Sequence, residues 1–490
     1  MICLFRRDDC RKMKLNYQRN RFISYLESIP IQSLGAVIFF WIYHKFLVYL
    51  MKDGLNLGAL KFDRHVVPLY AEPQTNLSLW LVPALIILAG FLLICRKILL
   101  RQATPRTRFL LISILSFLII GIGVSMIDGY QEVDGQHIPA FLQPFTRTSL
   151  EYYGDVPKVD AVGFQSFLRD YAKPELFQTL SLHSQTHPPG GILFLWMASK
   201  CFGYNLLTAA LASICFTSIT VIPIYWLAKD LYGDMVGRYA TVLFLTMPSF
   251  VMFTTTSMDG PFSVFPIVSV YLFYKATSFR TTLYAVLTGI SLGFGMFMTF
   301  STVFIGLFFG VVTLLTLMMD RKRFKGMLAA LFIAGAAFAA FYLLMFALTG
   351  FNLLDVLMAA IEKDENLMGT GYESISRYFH VSIANLFAFL IGIGIPVTIV
   401  WSNQTPRMFR RRDIYAIGYF ISLLVIAFST LYTMEVERIW IFMAPFVVIP
   451  VAKYLRDLCD DQRSTSPFYW VAGLLCLQLT LFEATLYTYW

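Results

Sequence analysis

Charged residues are scarce in this 490-residue sequence. They make up 14% of the chain, whereas soluble proteins carry about 25%. Hydrophobic residues make up 57%, and the mean hydropathy is +0.65. A water-soluble fold of this size would need a more strongly charged surface. The composition therefore excludes a soluble enzyme, a disordered region and a nucleic-acid-binding domain, and it indicates an all-α polytopic membrane protein.

The sequence also lacks paired cysteines, because its seven cysteines are scattered and include no CxxC motif. Most lie in or beside apolar runs, where a free cysteine behaves as a small hydrophobic residue. This spacing indicates neither a disulfide framework nor a metal cluster. No P-loop or dinucleotide-binding fingerprint is present either. The cysteines are Cys3, Cys10, Cys95, Cys201, Cys215, Cys459 and Cys476.

Long apolar runs are abundant, and about 20 apolar residues as helix cross a hydrocarbon core. Thirteen segments qualify, and closely spaced pairs widen the expected range to 11–14 spans. The first run is too long for a signal-peptide core and predicts a retained membrane anchor. The segments are about 33–51, 77–95, 109–127, 204–228, 239–256, 259–277, 282–298, 301–319, 327–349, 381–402, 414–433, 439–455 and 468–488.

The orientation follows from the distribution of Lys and Arg. If the N-terminus is cytoplasmic, cytoplasmic connections carry 27 of the 39 basic residues, outward segments carry 11, and Lys45 lies within the first span. This bias is the positive-inside pattern. The net charge of +9 therefore reflects membrane topology, and no nucleic-acid partner is expected. The sequence predicts a multi-pass protein of a bacterial-type inner (plasma) membrane, with a cytoplasmic N-terminus and an outward-facing C-terminus.

Three parts of the chain can be distinguished. Residues 1–108 form a basic cytoplasmic N-terminus followed by two extra transmembrane helices. Residues 109–455 form a transmembrane module with a long outward loop, 128–203, that contains surface helices. Residues 456–490 hold the last transmembrane helix.

Polar residues that do not act as topology signals collect in the outward segments. In the long loop, Glu151-Tyr152-Tyr153-Gly154-Asp155 is followed about thirty residues later by His183 and by His187-Pro188-Pro189. The Pro-Pro pair fixes the backbone at the start of a helix. Asp259-Gly260-Pro261 lies at the outer end of a span, and Arg438 begins another. Any chemistry is therefore expected to face outward.

These motifs resemble those of the polyprenyl-phosphate-sugar-dependent glycosyltransferases of the GT-C fold, the group of the protein O-mannosyltransferases and aminoarabinose transferases. The resemblance implies that Asp155 is the catalytic base and that His187-Pro188-Pro189 shapes the site. It matches Asp259-Gly260-Pro261 to an Asp-x-Pro motif at an outer helix start. It matches Arg438-Ile439-Trp440, with Pro445 and Pro450, to an arginine at the start of a proline-containing span.

Several roles stay open on the sequence alone. Asp128, directly after a span, competes with Asp155 as the base, and Asp155 could instead cap a surface helix. We expect Arg438 to bind phosphate, because its guanidinium can hold a phosphate through two hydrogen bonds. Its alternative partners are the neighbouring acidic residues. The remaining predicted substrate-binding residues are His187, His183, Asp259, Glu437 and Tyr153.

The resemblance implies transfer of a sugar from a polyprenyl-phosphate donor to an acceptor hydroxyl, with a carboxylate as general base and inversion at the anomeric carbon. The acceptor would be a polysaccharide, a lipid or a protein. Some relatives use a divalent cation, Mg²⁺, Mn²⁺ or Ca²⁺, but no ligand set can be identified. The alternatives are a lipid or solute transporter or flippase, and a non-catalytic protein of envelope polysaccharide assembly.

Overall fold

The computed structural model describes residues 28–58, 60–75, 78–133, 135–279, 281–368, 372–432 and 435–487. The basic segment before residue 28, with Cys3 and Cys10, lies outside these residues. So does Met434, which belongs to one of the outward turns. Over the described residues the chain is almost entirely helical, as the apolar composition predicts.

The helices are, in chain order, α1 (Ile29–Lys52), α2 (Leu81–Ile94), α3 (Arg106–Ser125), α4 (Val156–Val162), α5 (Phe164–Arg169), α6 (Pro174–Phe177), α7 (Leu182–Thr186), α8 (Gly190–Phe202), α9 (Leu206–Ser218), α10 (Val221–Tyr232), α11 (Asp234–Phe244), α12 (Pro248–Thr256), α13 (Asp259–Phe279), α14 (Thr282–Met298), α15 (Val303–Met319), α16 (Arg321–Thr349), α17 (Leu353–Met368), α18 (Ile375–Gly392), α19 (Ile395–Arg411), α20 (Ile414–Ser429), α21 (Val436–Ile439), α22 (Ala444–Asp461) and α23 (Ser466–Thr485). Short 3₁₀ segments extend several of them at Met126–Asp128, Ala140–Thr146, Tyr152–Asp155, Phe300–Thr302 and Trp440–Met443, and a π-helical turn, Cys95–Leu99, continues α2.

Two antiparallel ribbons complete the described secondary structure. Strand β1 (Glu72–Pro73) pairs with β4 (Leu486–Tyr487), and β2 (Tyr130–Val133) pairs with β3 (Gln136–Pro139). The β1–β4 pair joins the segment after the first span to the end of the last one.

All thirteen predicted membrane segments form helix, but fewer are long enough to count as spans. Ten helices of the described residues have the length and apolar composition to cross a membrane, and α11 with α12 makes an eleventh if this pair, bent by 54°, is one span. The other two predicted spans, α14 and α20, have only 17 and 16 residues. Since each residue of a helix rises 1.5 Å, they reach about 25 Å, slightly less than a hydrocarbon core. The polytopic all-α class is confirmed.

Alternate connections between the helices meet at opposite ends of the bundle. At one end, which we call the basic end, the buried Arg238 guanidinium donates to the carbonyls of Leu99, Arg101 and Thr104, at 2.7–3.0 Å. In the same region Arg411 pairs with Asp457 at 3.1 Å. All of these residues lie in segments predicted to be cytoplasmic.

The segments predicted to face outward meet at the other end, the polar end. There the backbone N–H of Tyr70 donates to Glu437 Oε1 at 2.6 Å, and Gln74 N–H donates to the carbonyl of Thr485 at 2.9 Å. The outward loop 128–203 folds onto this end around its own apolar core, in which Phe167, Leu168 and Tyr171 are buried. Helix α5, one of the surface helices predicted in this loop, is thus short, and its buried residues Phe167 and Leu168 pack on protein.

Candidate active site

An arginine held between two carboxylates lies at the centre of the polar end. Arg438 Nε is 3.3 Å from Asp259 Oδ2, and its terminal nitrogen pairs with Glu435. The side chains of Arg438 and Asp259 are only 7% and 14% exposed. A desolvated ion pair of this kind holds a guanidinium in one orientation. The fold thus brings Arg438 and Asp259, which are 179 residues apart in the sequence, into contact. Their roles in substrate binding stay predictions.

The local backbone explains how Asp259 and Glu435 reach the arginine. Ser257 Oγ donates to Asp259 Oδ2 at 2.8 Å and accepts from the Asp259 N–H at 3.2 Å, so the carboxylate is fixed at the first turn of α13. Glu435 has a left-handed backbone, with φ of +59°. A residue with a side chain in this region costs of order 1–3 kcal/mol, and the ion pair with Arg438 helps to hold it there.

A second charged pair lies beside the first. His183 Nδ1 is 3.1 Å from Glu151 Oε1, and both side chains are largely buried. Burial acts to lower the pKa of His183, but the charge of Glu151 and its hydrogen bond outweigh burial and raise that pKa. His183 is therefore favoured as a cation. The charge of Glu151 also stabilises the charge of Arg438. Among the described residues, however, the ion pair of Glu151 is with His183 and not with Arg438.

His187 lies next to this pair but in a different state. Burial, followed by the charge of His183, lowers the pKa of His187 to about 3, so His187 is neutral. Its ring stacks on Phe262 with 5.6 Å between ring centroids, and Tyr152 packs edge-on against both rings, at 5.7 and 5.4 Å. His187, Phe262 and Tyr152 form one aromatic wall of the cluster.

The Pro-Pro pair positions both histidines as the sequence predicts. Helix α7, which carries His183, ends at Thr186, and His187 is extended, with φ of −130°. This is the conformation expected for a residue before proline. His187 Nδ1 then lies 3.1 Å from the backbone carbonyl of His183, which holds the His187 ring against the backbone of α7.

Asp155, the predicted base, lies on the same loop but has other partners. Its Oδ1 pairs with Lys158 at 2.8 Å, and its Oδ2 accepts from the backbone N–H of Ser181 at 2.9 Å. The side chain is only 1% exposed. Because Ser181 directly precedes α7, Asp155 holds the start of the helix that carries His183. A catalytic role for Asp155 stays a prediction, and its contacts are those of a positioning residue.

The remaining predicted residues have other contacts or surroundings. Asp128 is buried in the 3₁₀ turn that ends the third span. Tyr153 stacks on Tyr204 with 4.5 Å between centroids. Glu437 accepts from the backbone N–H of Tyr70, so its visible contact anchors the segment after the first span. These three residues have structural partners, and their proposed substrate contacts stay predictions.

Two residues at the centre of the site were not predicted to act there. Glu151 lies in the stretch that the sequence singled out, but Asp155 was preferred within it. Glu435 was considered only as an alternative partner of Arg438. Both carboxylates precede a short helical turn, so a single sequence cannot separate a capping residue from a functional one. What identifies them is their proximity to His183 and Arg438, which depends on the fold.

The cluster does not fit a divalent cation. Over the residues that the structure describes, no group of three or more His, Cys, Asp or Glu side chains could hold a metal ion. Asp259 and Glu435 already share the guanidinium of Arg438. No step of the reaction is therefore assigned to a metal.

Comparison with known families matches one segment of the chain, which contains only part of this site. Residues 186–354 match the family of dolichyl-phosphate-mannose-protein mannosyltransferases. The segment begins next to His187 and includes Asp259, and it covers about a third of the chain. No curated protein sequence matches the chain.

The fold is similar to that of an archaeal membrane enzyme. The crystal structure of the Archaeoglobus fulgidus oligosaccharyltransferase in complex with Zn and sulfate matches with a TM-score of 0.50 and 14% identity, over 76% of this chain and 52% of that one. Its apo form matches with a TM-score of 0.49, 13% identity and coverages of 77% and 56%. The same protein, AglB, with an inhibitory peptide and a dolichol-phosphate, gives 0.45, 13%, 77% and 56%.

The present chain thus spans about half the length of these solved structures. At this identity the likeness concerns the fold. Together with the family match, it confirms the resemblance that the outward motifs indicated: the chain is a multi-pass membrane protein with the fold of the GT-C glycosyltransferases.

Proposed function

We propose that the chain is a membrane glycosyltransferase that moves a sugar from a polyprenyl-phosphate donor to an acceptor hydroxyl, with its site on the outward face of the membrane. The observation that carries the proposal is the buried Arg438, fixed by Asp259 and Glu435 and next to the His183–Glu151 pair. The family match supports the donor class, because that family is described by a dolichyl-phosphate-mannose donor.

Arg438 is suited to stabilise the departing lipid phosphate. During transfer the bond between the anomeric carbon and the phosphate oxygen breaks, and negative charge grows on that oxygen. A guanidinium held in place by buried carboxylates stabilises this charge without having to reorient. When His183 is protonated, a state that Glu151 favours, it adds a second cation nearby. A phosphate that binds here must compete with Glu435 for Arg438. The donor phosphate can thus replace the Glu435 carboxylate on the guanidinium and be replaced by it after transfer.

We propose Glu151 as the general base. It accepts the proton of the acceptor hydroxyl while the hydroxyl oxygen attacks the anomeric carbon from the side opposite the phosphate. Asp259 contacts Arg438 directly, so a bound phosphate would lie beside it. Glu151 has no ion pair with Arg438 among the described residues, although its charge acts on the arginine, so in this proposal the sugar lies between base and phosphate. A single displacement of this kind inverts the anomeric configuration.

In this proposal Asp155 acts through α7, as the contact with Ser181 suggests. Asp128 is the remaining alternative base. In this structure the cluster is covered, because Glu151 and Arg438 are both less than a tenth exposed. Entry of the donor and acceptor therefore requires the surrounding outward segments to move, and α17, which packs on α7, is one of them.

The test is a transfer assay with the purified protein in liposomes. A panel of radiolabelled polyprenyl-phosphate sugars is supplied with candidate acceptors, and both the transferred sugar and the released polyprenyl phosphate are measured. We expect equal amounts of the two products for at least one donor, and loss of both in Arg438→Gln. The matched control is Arg377→Gln, another buried arginine with a glutamate partner, Glu373. Movement of the intact donor across the bilayer without its consumption would instead favour a flippase.

A further inference from the structure

A cavity with charged side chains in its lining lies at the basic end, away from the candidate active site. Its volume is about 280 Å³, and it is bounded by α19, α22 and the end of α10. This is close to the lower limit of small-molecule sites, so it suits a compact group. Lys453 is 15 residues beyond Arg438 along the same span, Val436–Asp461. At 1.5 Å per residue this is about 22 Å, so the two sites are separate.

Cations dominate the lining of this cavity. Arg407, Arg411 and Lys453 face two carboxylates, Asp413 and Asp457. Asp457 is shared between Arg411 and Lys453. The lining thus has one more cation than carboxylates, and Arg411 and Lys453 share the single carboxylate of Asp457.

The carboxylate that remains is already used within the fold. Asp413 Oδ1 accepts from the backbone N–H of Ala416 at 3.1 Å, which caps α20, and its other oxygen accepts from the hydroxyl of Tyr232. Asp413 therefore has no ion pair with any cation of the cavity among the described residues. The charge of Arg407 is left without a carboxylate partner there.

Arg407 is nevertheless held in a defined position. Its guanidinium lies over the ring of Tyr454, 4.6 Å from the ring centroid. A cation–π contact of this type orients the planar group but leaves its N–H donors open. On the cavity wall, Gln404 is 7% exposed, and its Oε1 has no hydrogen-bond partner among the described residues. The cavity thus offers oriented cationic donors together with a buried, unpaired acceptor.

We propose that this cavity binds the phosphodiester head group of an anionic glycerophospholipid, such as phosphatidylglycerol. Arg407, Arg411 and Lys453 would hold the phosphate, and Gln404 Oε1 would accept from a head-group hydroxyl. Basic pockets between transmembrane helices on the cytoplasmic side are suited to anionic lipid head groups. Tyr454 is the kind of residue that lies at the membrane interface, where such a head group is found.

The experiment measures lipid binding directly and does not depend on transferase activity. The full chain is placed in nanodiscs of neutral phosphatidylcholine, with phosphatidylglycerol added in increasing amounts, and retained lipids are counted by native mass spectrometry. The variant is Arg407→Gln, and the matched control is Arg410→Gln. Arg410 is exposed one turn away on the same helix and does not line the cavity. Inorganic phosphate is titrated in parallel as the soluble source of the same chemistry.

We expect the wild type to retain phosphatidylglycerol in preference to phosphatidylcholine. Loss of a charged hydrogen bond weakens binding by about 10- to 100-fold, so Arg407→Gln should lower the affinity by that factor and Arg410→Gln should not. Equal retention of the two lipids by the wild type, or an equal loss in both variants, overturns the proposal. If inorganic phosphate binds in a way that depends on Arg407, and phosphatidylglycerol is not preferred, the ligand is a soluble phosphate and the lipid proposal is wrong.

Discussion

The exchange of Glu151 for glutamine separates the proposed base from its neighbour on the same loop. Glu151→Gln keeps the size of the side chain and one acceptor oxygen for His183, which lies 3.1 Å away, but removes the proton acceptor. General base catalysis contributes roughly 10²–10⁴-fold. We therefore expect turnover to fall by about this factor, while binding of the polyprenyl-phosphate donor, which depends on Arg438, changes little.

The matching exchange in Asp155 should behave differently. Asp155→Asn keeps an oxygen that can accept from the Ser181 N–H, and it loses the charge that faces Lys158. Because the Lys158 side chain is 31% exposed, water screens part of the ion pair, so the protein should lose only part of its stability. Turnover should fall by far less than the roughly 10²–10⁴-fold expected for loss of a general base, since Asp155 contacts the start of α7.

The assay is single-turnover transfer in liposomes with saturating donor, combined with donor binding for each variant. Asp160→Asn serves as a control, because this carboxylate is 52% exposed and pairs with Lys200 at the surface. A double variant with His183→Gln tests whether Glu151 acts only through the histidine. If Asp155→Asn lost 10²–10⁴-fold in turnover and Glu151→Gln less than tenfold, the assignment would be refuted and Asp155 would be the base.

Three further outcomes follow from the same contacts. Arg438→Lys should weaken donor binding and slow transfer together, because an ammonium cannot reproduce the paired donors of a guanidinium; unchanged binding in calorimetry would contradict this. Glu435→Gln should strengthen donor binding, since the phosphate no longer competes with a carboxylate for Arg438; weaker binding would show that Glu435 only supports the arginine. The raised pKa of His183 predicts that its pair with Glu151 stabilises the fold fully below about pH 6.5, the ordinary value, and that this stabilisation is lost as the pH rises through the folded-state pKa. Thermal unfolding followed against pH should show this alkaline loss in the wild type, and its persistence in His183→Gln would exclude the pair as the cause.

The spans could be predicted from the sequence because each long apolar run must form a helix in lipid. The alternation of the connections is also consistent with the Lys and Arg counts, since predicted cytoplasmic segments meet each other around Arg238. The orientation of these ends relative to the cell stays a prediction. Helix α14, Thr282–Met298, has the predicted bounds, whereas α20 ends at Ser429, before the predicted residue 433, because hydropathy reports apolar character and not where a helix is capped.

The site could be predicted only where a motif fixes the backbone. His187-Pro188-Pro189 determined the end of α7 locally, and Arg438 was identified by its match to an arginine at the outer start of a proline-containing span. Glu151 and Asp155 are four residues apart in one short turn, so composition and spacing favour neither. Which carboxylate faces Arg438 depends on how the outward loop folds over the bundle, and that is a long-range contact.

Photo-crosslinking of the lipid donor tests the central claim most directly. A polyprenyl-phosphate sugar with a photoreactive group near its phosphate is bound to the protein in liposomes, illuminated, and mapped by peptide mass spectrometry. We predict labelling of the segments that contain Glu151, His183 and Arg438, with loss of label in Arg438→Gln. Labelling confined to the cavity around Arg407 at the basic end, with none at the polar end, would contradict the proposed location of transfer.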